Sequence, residues 1–396
     1  MKSEFDKIYD RRGSGAIKTD SLAEYFGKED LIPLWVADMD FKTPEFILKA
    51  IKDSLDFPIL GYYTPSDSYW NSFIKWQKKI NDWEVTREQL SYIPGIVRGI
   101  AHVLSCFTSA GDRVVVQPPV YMPFFNLVID NGREVVYNPL RYVRGQYEMD
   151  LNALESIFKT HSPKLMIVSN PHNPSGRVWN RATLVELAAL CEKYNVILIS
   201  DEIHADMPLF GSVHIPLASV SESAKKMTIT FCAPSKTFNM AGMASSFAVV
   251  CDPELRERFF GYLHANEFNA PLQLPCAATE AAYSKGAKWR LKMLAYVEEN
   301  VRFVSDYLAV NIPQISVVQP QASFLIWLNC KMLGLAHDDL IDLFVNKAGL
   351  ALNDGEAFGP GGEGYMRLNA GCPRAILEKA LIQLKAAVET TKSKII

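Results

Sequence analysis

Short apolar, β-branched runs recur through the middle of the chain at 113–117, 134–137, 164–169, 196–200, 227–232 and 247–251, mostly separated by stretches long enough for a helix. This alternation predicts strands joined through helical crossovers, and so an α/β sheet with helices on both faces. Two of the helices are legible from spacing alone. Ile100, Val103, Leu104 and Phe107 fall at i, i+3, i+4 and i+7, as do Leu184, Leu187, Ala188 and Cys191, so each set forms one apolar stripe to lay on the sheet. After about Gly286 the pattern changes to a long helical stretch, an apolar strand at 324–328, a helix at 338–348 and a glycine-rich loop at 355–364, which predicts a smaller second unit. The N-terminal segment to about Pro44 is expected to join it, because Leu31, Pro33, Leu34 and Trp35 are too apolar for a free tail. No repeat of fixed period and no low-complexity tract interrupts this organisation.

Composition bounds the function. With 396 residues, 48% of them hydrophobic and 21% charged, the chain can bury a large core and exceeds one simple domain. A formal charge of -3 argues against the broad basic surface that nucleic-acid binding needs, and Lys225-Lys226 reads as a solvated pair. The seven cysteines stand singly, without the paired C-x-x-C spacing of zinc or redox sites, and read as buried thiols in a reducing compartment. No metal site is expected. The charged stretch 1–9 lacks the apolar core of a secretion signal, and no segment approaches the roughly 18 apolar residues of a membrane span. The expectation is a cytoplasmic protein with no membrane or nucleic-acid partner.

The candidate chemistry lies in three loops that directly follow three successive strands: Asn170-Pro171-His172-Asn173-Pro174-Ser175-Gly176, Asp201-Glu202-Ile203-His204 and Ala233-Pro234-Ser235-Lys236. Ligands of open α/β sheets bind at the carboxyl ends of the strands, so Asn173, Asp201 and Lys236 are expected to converge. A lysine in a loop is ordinarily solvated; one placed after a buried strand and facing a carboxylate is desolvated, as a nucleophilic amine requires. Asp201 has two readings, a cap for the following helix or the partner of a cation such as a protonated pyridine nitrogen. The proline-rich loop is either a turn alone or a turn that presents the Asn173 amide. Gly95, before a helix starting near Ile96, offers free N–H groups and a positive dipole end to a phosphate.

The chain resembles the fold-type-I, pyridoxal-phosphate-dependent enzymes of the class I/II aminotransferase superfamily, and within it the cystathionine β-lyase (C-S lyase) group of the MalY/PatB type. The motifs that carry the resemblance are Pro33-Leu34-Trp35-Val36-Ala37-Asp38-Met39-Asp40-Phe41, Gly61-Tyr62, the loop from Asn170 to Gly176, Asp201-Glu202-Ile203-His204-Ala205-Asp206, Ser235-Lys236-Thr237-Phe238-Asn239, and Arg367 to Arg374. The resemblance implies an α/β fold: a three-layer αβα large domain, 45–286, with a mainly parallel seven-stranded sheet, plus a smaller α+β domain of 1–44 and 287–396. It implies that Lys236 holds pyridoxal 5'-phosphate as a Schiff base, Asp201 pairs with the pyridine nitrogen, Asn173 bonds near the phenolic oxygen and Tyr121 stacks on the ring. The backbone of Ile96 and Val97, with Ser235, holds the phosphate, joined by Tyr62 from the other subunit of a homodimer. Arg367 clamps the substrate carboxylate, with Asn173, Ala37 and Tyr121 beside it; Lys236, Tyr62 and Asp201 are the implied catalytic residues.

Bland readings stand beside these: Tyr121 as core packing, Tyr62 with Tyr63 as a surface pair, Arg367 as a structural ion pair, and His204 as either a cofactor-side hydrogen-bonder or a packed imidazole. The chain also departs from aspartate-aminotransferase-like members, which have a serine three residues before the lysine and an arginine eight after it; here these are Ala233 and Ala244. The activity implied is β-elimination from an S-substituted cysteine such as cystathionine, giving a thiol, pyruvate and ammonia. Transamination, which uses the same residues, is the alternative. A non-catalytic PLP-binding regulator is a third class, and the 30 or so residues before Leu31 are too few for a DNA-binding module.

Overall fold

The computed structural model describes residues 3–392. Met1 and Lys2 of the charged N-terminal stretch, and the ends of the expected smaller unit, 1–2 and 393–396, lie outside the described residues. Seven strands form the main sheet: Leu90–Ile93 (β1), Arg113–Val116 (β2), Glu134–Tyr137 (β3), Leu165–Ser169 (β4), Ile197–Asp201 (β5), Thr228–Cys232 (β6) and Ser246–Val250 (β7). Their spatial order is β1-β7-β6-β5-β4-β2-β3. Every pairing is parallel except those of β7, which runs against both β6 and β1. All residues of β4, β6 and β7 are buried, which is why β4 and β7 read as nearly continuous apolar runs; β6 alternates, with Thr228 and Thr230 buried between Ile229 and Phe231.

The two-residue period of the strands divides the core into two layers. Val114, Val116, Ile167 and Ile199 face one side and pack with Ile100, Val103 and Leu104 of helix α1, Ile96–Phe107. Val115, Met166, Val168 and Leu198 face the other and pack with Leu184, Leu187, Ala188 and Cys191 of helix α2, Arg181–Tyr194. Both apolar stripes therefore lie on the sheet, on opposite faces. Helix α2 begins where the Asn180 side chain accepts from the Thr183 amide and ends at Asn195 with φ 54, a cap and a stop of the expected kinds. Helix α1 approaches the sheet closely at Gly99, where a Cβ would meet Phe231 at 2.5 Å and Ile93 at 3.1 Å.

A second sheet is antiparallel throughout, in the order β8-β9-β11-β10 for Ser316–Val318 (β8), Leu325–Asn329 (β9), Asn353–Asp354 (β10) and Tyr365–Asn369 (β11). It is accompanied by the long helices Ala287–Asn311 (α3) and Arg374–Lys392 (α4). The N-terminal segment joins this part of the chain, because Ile32–Pro33 pairs in parallel with Leu350–Ala351 and Leu22, Leu31 and Trp35 share a small core with Val345 and Ala351. The helix expected at 338–348 is His337–Asp342 followed by a wider π-helical turn, Leu343–Lys347. The glycine-rich loop carries one short 3-10 turn, Glu356–Phe358.

Surface and thiol expectations have plain outcomes. Lys225 pairs with Glu222 at 2.6 Å and Lys226 with Glu192 at 3.3 Å, on exposed ground. All seven cysteines are free, but only five are buried; Cys106 and Cys251 are partly exposed. Among the described residues no helix is long and apolar enough to cross a membrane.

Candidate active site

The strand register brings the three loops to one level. Ser169 at the end of β4 pairs with Asp201 at the end of β5, and Asp201 with Phe231 near the end of β6. The loops therefore open on a single cavity of about 290 Å³, at the small end of ligand pockets. Lys236, Asp201, Asn173, Tyr121, His204, Ser235, Ile96, Val97 and Ala37 all line it. Nine of the eleven residues singled out from sequence thus share one space.

Lys236 keeps some surface toward the cavity, and its Nζ donates to the Ala37 carbonyl at 2.6 Å. Burial, assisted by the Arg367 cation, pushes its amine down to about 8, against the pull of Asp38 and Asp201. A substantial neutral fraction follows near neutrality, as a nucleophilic amine requires. Burial pushes the Asp201 carboxyl the other way, up to about 7, although the Ile203 amide donates to Oδ1 at 3.0 Å and Lys236 stands nearby. No helix directly follows Asp201, since 203–206 are turn, so the helix-cap reading fails and the Ile203 contact is a local turn bond. It does not compensate for the burial, so the carboxyl is set to receive a cation from the cavity.

Arg367 lies on β11, 3% exposed. It donates to Asn173 Oδ1 at 3.0 Å, the Trp35 carbonyl at 3.0 Å and Asn353 Oδ1 at 2.6 Å, while its Nε has no partner. None of these acceptors is charged. Among the described residues no carboxylate pairs with Arg367, which removes the structural ion-pair reading. Burial lowers it to about 10, with Tyr121 opposing. Arg367 does not itself line the cavity but reaches it through Asn173, and a buried guanidinium without a carboxylate partner is chemically suited to one.

The remaining lining groups are held by local contacts. The Tyr121 amide donates to the Asn173 carbonyl at 3.1 Å and the Asn173 amide to Ser169 Oγ at 3.1 Å, so ring and amide are placed together. Tyr121 is thus a cavity wall and not only core. His204 is buried, its Nδ1 lacks a partner, and burial with the nearby Lys236 and Arg367 cations drives it down to about 3. It is a neutral imidazole with an unused ring nitrogen.

At the other end, Gly95 adopts φ 114 and no side chain caps α1, so the first N–H groups of the helix point out unpaired. Ser235, Ser245 and Ser246 line this end with Ala244. Three hydroxyls thus share this end of the cavity with Ala244, although Ser245 Oγ already accepts from Thr279 Oγ1 at 2.9 Å, and Ala233 does not line it.

Tyr62 is not in the cavity. It is fully exposed (113%), in a stretch where Leu55, Phe57, Ile59 and Leu60 are also exposed. Sequence reasoning also passed over several residues that shape the site. Arg98, in the first turn of α1, lines the cavity and donates to the Pro94 carbonyl at 3.1 Å. Asn239 and Asn369 bind the backbone of 36–41. Both asparagines fall inside motifs read for their neighbours, three residues after Lys236 and two after Arg367, and that spacing was the available signal.

The model of the family aminotransferase class I and II matches residues 29–384. The chain belongs to that family. Within it, the chain is 41% identical over 384 residues to the cystathionine beta-lyase PatB of Bacillus subtilis (strain 168), covering 97% of this chain and 99% of that protein. Among solved structures, cystalysin from Treponema denticola, which contains a pyridoxal 5'-phosphate cofactor, superposes with a TM-score of 0.94 at 31% identity, over 99% of this chain and 100% of cystalysin. The PLP-bound C-S lyase from Staphylococcus hominis superposes with a TM-score of 0.91 at 33% identity, over 98% of each chain. The seven-stranded, mostly parallel sheet and the cavity at its strand ends are thus those of a family with PLP-bound members.

Proposed function

We propose that this chain is a PLP-dependent carbon–sulfur β-lyase, acting on L-cystathionine or a related S-substituted cysteine to give a thiol, pyruvate and ammonia. The observation that carries the cofactor is one cavity with an amine near 8, a carboxyl near 7 and an uncapped helix N-terminus on its walls. These donors fit the three ends of pyridoxal phosphate: a carbonyl carbon, a pyridine nitrogen and a phosphate. When bound, the cofactor supplies a carbonyl that combines with amines and a ring that accepts the electron pair left on the substrate Cα.

Each residue has a task. Lys236 holds the cofactor at rest and, once free, takes the Cα proton on Nζ as general base. Asp201 stays ionised against a protonated ring nitrogen. Asn173 donates to the ring oxygen, and Tyr121 covers the ring. Ile96, Val97 and Ser235 hold the phosphate, with Ser245, Ser246 and Arg98 close by. Arg367 fixes the substrate carboxylate and so selects which Cα bond is presented; Asn173 and Ala37 flank it. His204, neutral, accepts or donates one hydrogen bond at the cofactor side.

The same reading divides the chain into a cofactor-holding part, 45–286, and a smaller part, 1–44 with 287–396; all residues lining the cavity belong to the first except Ala37. It also makes the protein a homodimer. The exposed apolar stretch from Leu55 to Tyr62 docks on a second copy and delivers Tyr62 to the partner's phosphate end.

Elimination is preferred to transamination because the near-full-length relative at 41% identity is named a cystathionine β-lyase. The test is a panel of cystathionine, cystine, cysteine and S-alkyl cysteines assayed for pyruvate, with and without a keto-acid acceptor. Pyruvate without acceptor is expected; obligate dependence on the acceptor refutes elimination. Lys236→Ala should remove both the cofactor's absorbance band and the activity, and activity surviving that change overturns the role of the lysine.

A further inference from the structure

Residues 36–41 form a strap across the site, and the strap and its neighbour Trp35 act through the backbone. The Ala37 carbonyl receives Lys236 Nζ at 2.6 Å, and the Trp35 carbonyl receives Arg367 at 3.0 Å. Both contacts depend on where the main chain is held. From one side, Asn239 donates to the carbonyls of Met39 at 2.8 Å and Phe41 at 2.7 Å and accepts from the Met39 amide at 3.0 Å. Asn369 donates to the carbonyls of Val36 and Asp38, each at 2.6 Å.

From the other side the strap is held by charge. Arg11 spans Asp38 and Asp40, at 2.6 and 2.9 Å. Lys18 donates to Asp40 at 2.8 Å and to the Asp38 carbonyl at 3.2 Å, and lies 3.7 Å from the Asp38 carboxylate. Its side chain is 0% exposed. The Trp35 indole closes the circuit by donating to the Lys18 carbonyl at 3.0 Å. Two cations and two carboxylates balance, and a wholly buried ammonium is retained only where such pairing is complete.

We infer that Lys18, acting with Arg11 on Asp38 and Asp40, is a positioning residue that sets the strap so that the carbonyls of Ala37 and Trp35 meet Lys236 and Arg367. The inference rests on the proposed role of Lys236. The group also acts on that amine through space. Around Lys236 stand Asp201 at the end of β5, His204 beyond it, Tyr121 after β2, Arg98 on α1, Arg367 on β11 and Asp38 on the strap. Asp38 favours the charged amine. Burial raises the Asp38 carboxyl, but Arg11 and Lys18 more than offset this and hold it below its ordinary value.

The test uses Lys18→Met and Asp38→Asn and follows the pH midpoint of the cofactor's absorbance in the holoenzyme. In the full chain freed of cofactor with hydroxylamine, it follows the pH profile of Lys236 methylation by formaldehyde and borohydride, read by peptide mass spectrometry. Lys18→Met leaves one negative charge unbalanced, so both midpoints should rise by about half a pH unit or more. Asp38→Asn removes a negative charge, so both should fall. In Lys18→Met the KM should rise several-fold more than kcat falls, because the Trp35 carbonyl, one of the three acceptors of Arg367, is no longer held in place; the double variant Lys18→Met/Asp40→Asn should recover the midpoint.

Midpoints and KM unchanged in Lys18→Met, or both single variants moving the same way, overturn the inference. If Lys18→Met does not fold, Asp38→Asn decides alone, its carboxylate being already 18% exposed, and an unmoved midpoint refutes. The methylation profile reads the amine whether or not it holds a cofactor. Failure of the functional reading shows separately, as pyruvate release that requires a keto-acid acceptor or as activity that survives Lys236→Ala.

Discussion

Replacing Asp201 by asparagine keeps the shape of the side chain and removes its charge, and the consequence depends on whether the cofactor is present. In the cofactor-free chain, burial moves the Asp201 carboxyl from 3.8 to about 7, which makes its ionised form about 4 kcal/mol less favourable in the folded than in the unfolded chain. Below about pH 4 both states hold the proton and nothing is lost. As pH rises from about 4 to 7 the unfolded chain releases a proton that the folded chain keeps, so wild-type stability falls; above about 7 the loss is complete. Asp201→Asn escapes this loss. The variant should therefore exceed the wild type by about 2–4 kcal/mol at pH 8, after allowance for relaxation, and by about 1 kcal/mol or less at pH 4.5.

Urea unfolding of the cofactor-free proteins at the two pH values, at equal protein concentration, measures the difference. With pyridoxal phosphate added the order at pH 8 should reverse, because only the ionised aspartate pairs with a protonated ring nitrogen. A gain that is equal at both pH values, or absent at pH 8, refutes the claim that Asp201 is an uncompensated carboxyl waiting for a cation.

Arg367→Lys retains the charge but loses the planar fork that reaches Asn173, Trp35 and Asn353; steady-state kinetics should show kcat/KM reduced about 10- to 100-fold, mostly through KM. Gly99→Ala forces a methyl group against Phe231 and Ile93 and should cost about 1–3 kcal/mol in thermal or denaturant unfolding; an unchanged melting curve refutes the close approach of α1 to the sheet. If Tyr62 serves the partner's site, chains carrying Tyr62→Ala and Lys236→Ala, each inactive alone, should regain activity when co-expressed, since the mixed dimer holds one site with both residues intact. No recovery, with mixed dimers isolated, places Tyr62 outside the site.

The strands were legible where burial on both faces made them nearly continuous apolar runs, as in β4, or where β-branched residues dominate, as in β6 with Thr228, Ile229 and Thr230. The boundaries moved where pairing, not composition, decides. Asp201 counts as strand because it pairs with Ser169, and β7 starts at Ser246 because that residue faces Ile93. The edge strand Leu90–Ile93 went unread: four residues, one of them Ser91, are too few to show a period, and only the reversed β7 recruits them. In the site, the Asn173, Asp201 and Lys236 loops could be placed because each follows a strand, and adjacent parallel strands end together. Lys18 could not. A lysine in a charged N-terminal segment reads as solvated, and its burial comes from Asp38 and Asp40, about twenty residues on. Tyr62 was named by motif alone, and nothing within one chain places it at the cavity.

The acceptor for Lys236 is the main-chain carbonyl of Ala37, and this has a practical consequence for anyone engineering the protein. No codon change at 37 deletes a carbonyl, so a mutational scan will score the position by its methyl group and miss the contact. A library confined to the side chains around the cavity will likewise leave it intact. Selection can retune this contact only from outside, through Arg11, Lys18, Asn239 and Asn369, and variants that alter the lysine's reactivity without altering its visible neighbours should be sought there.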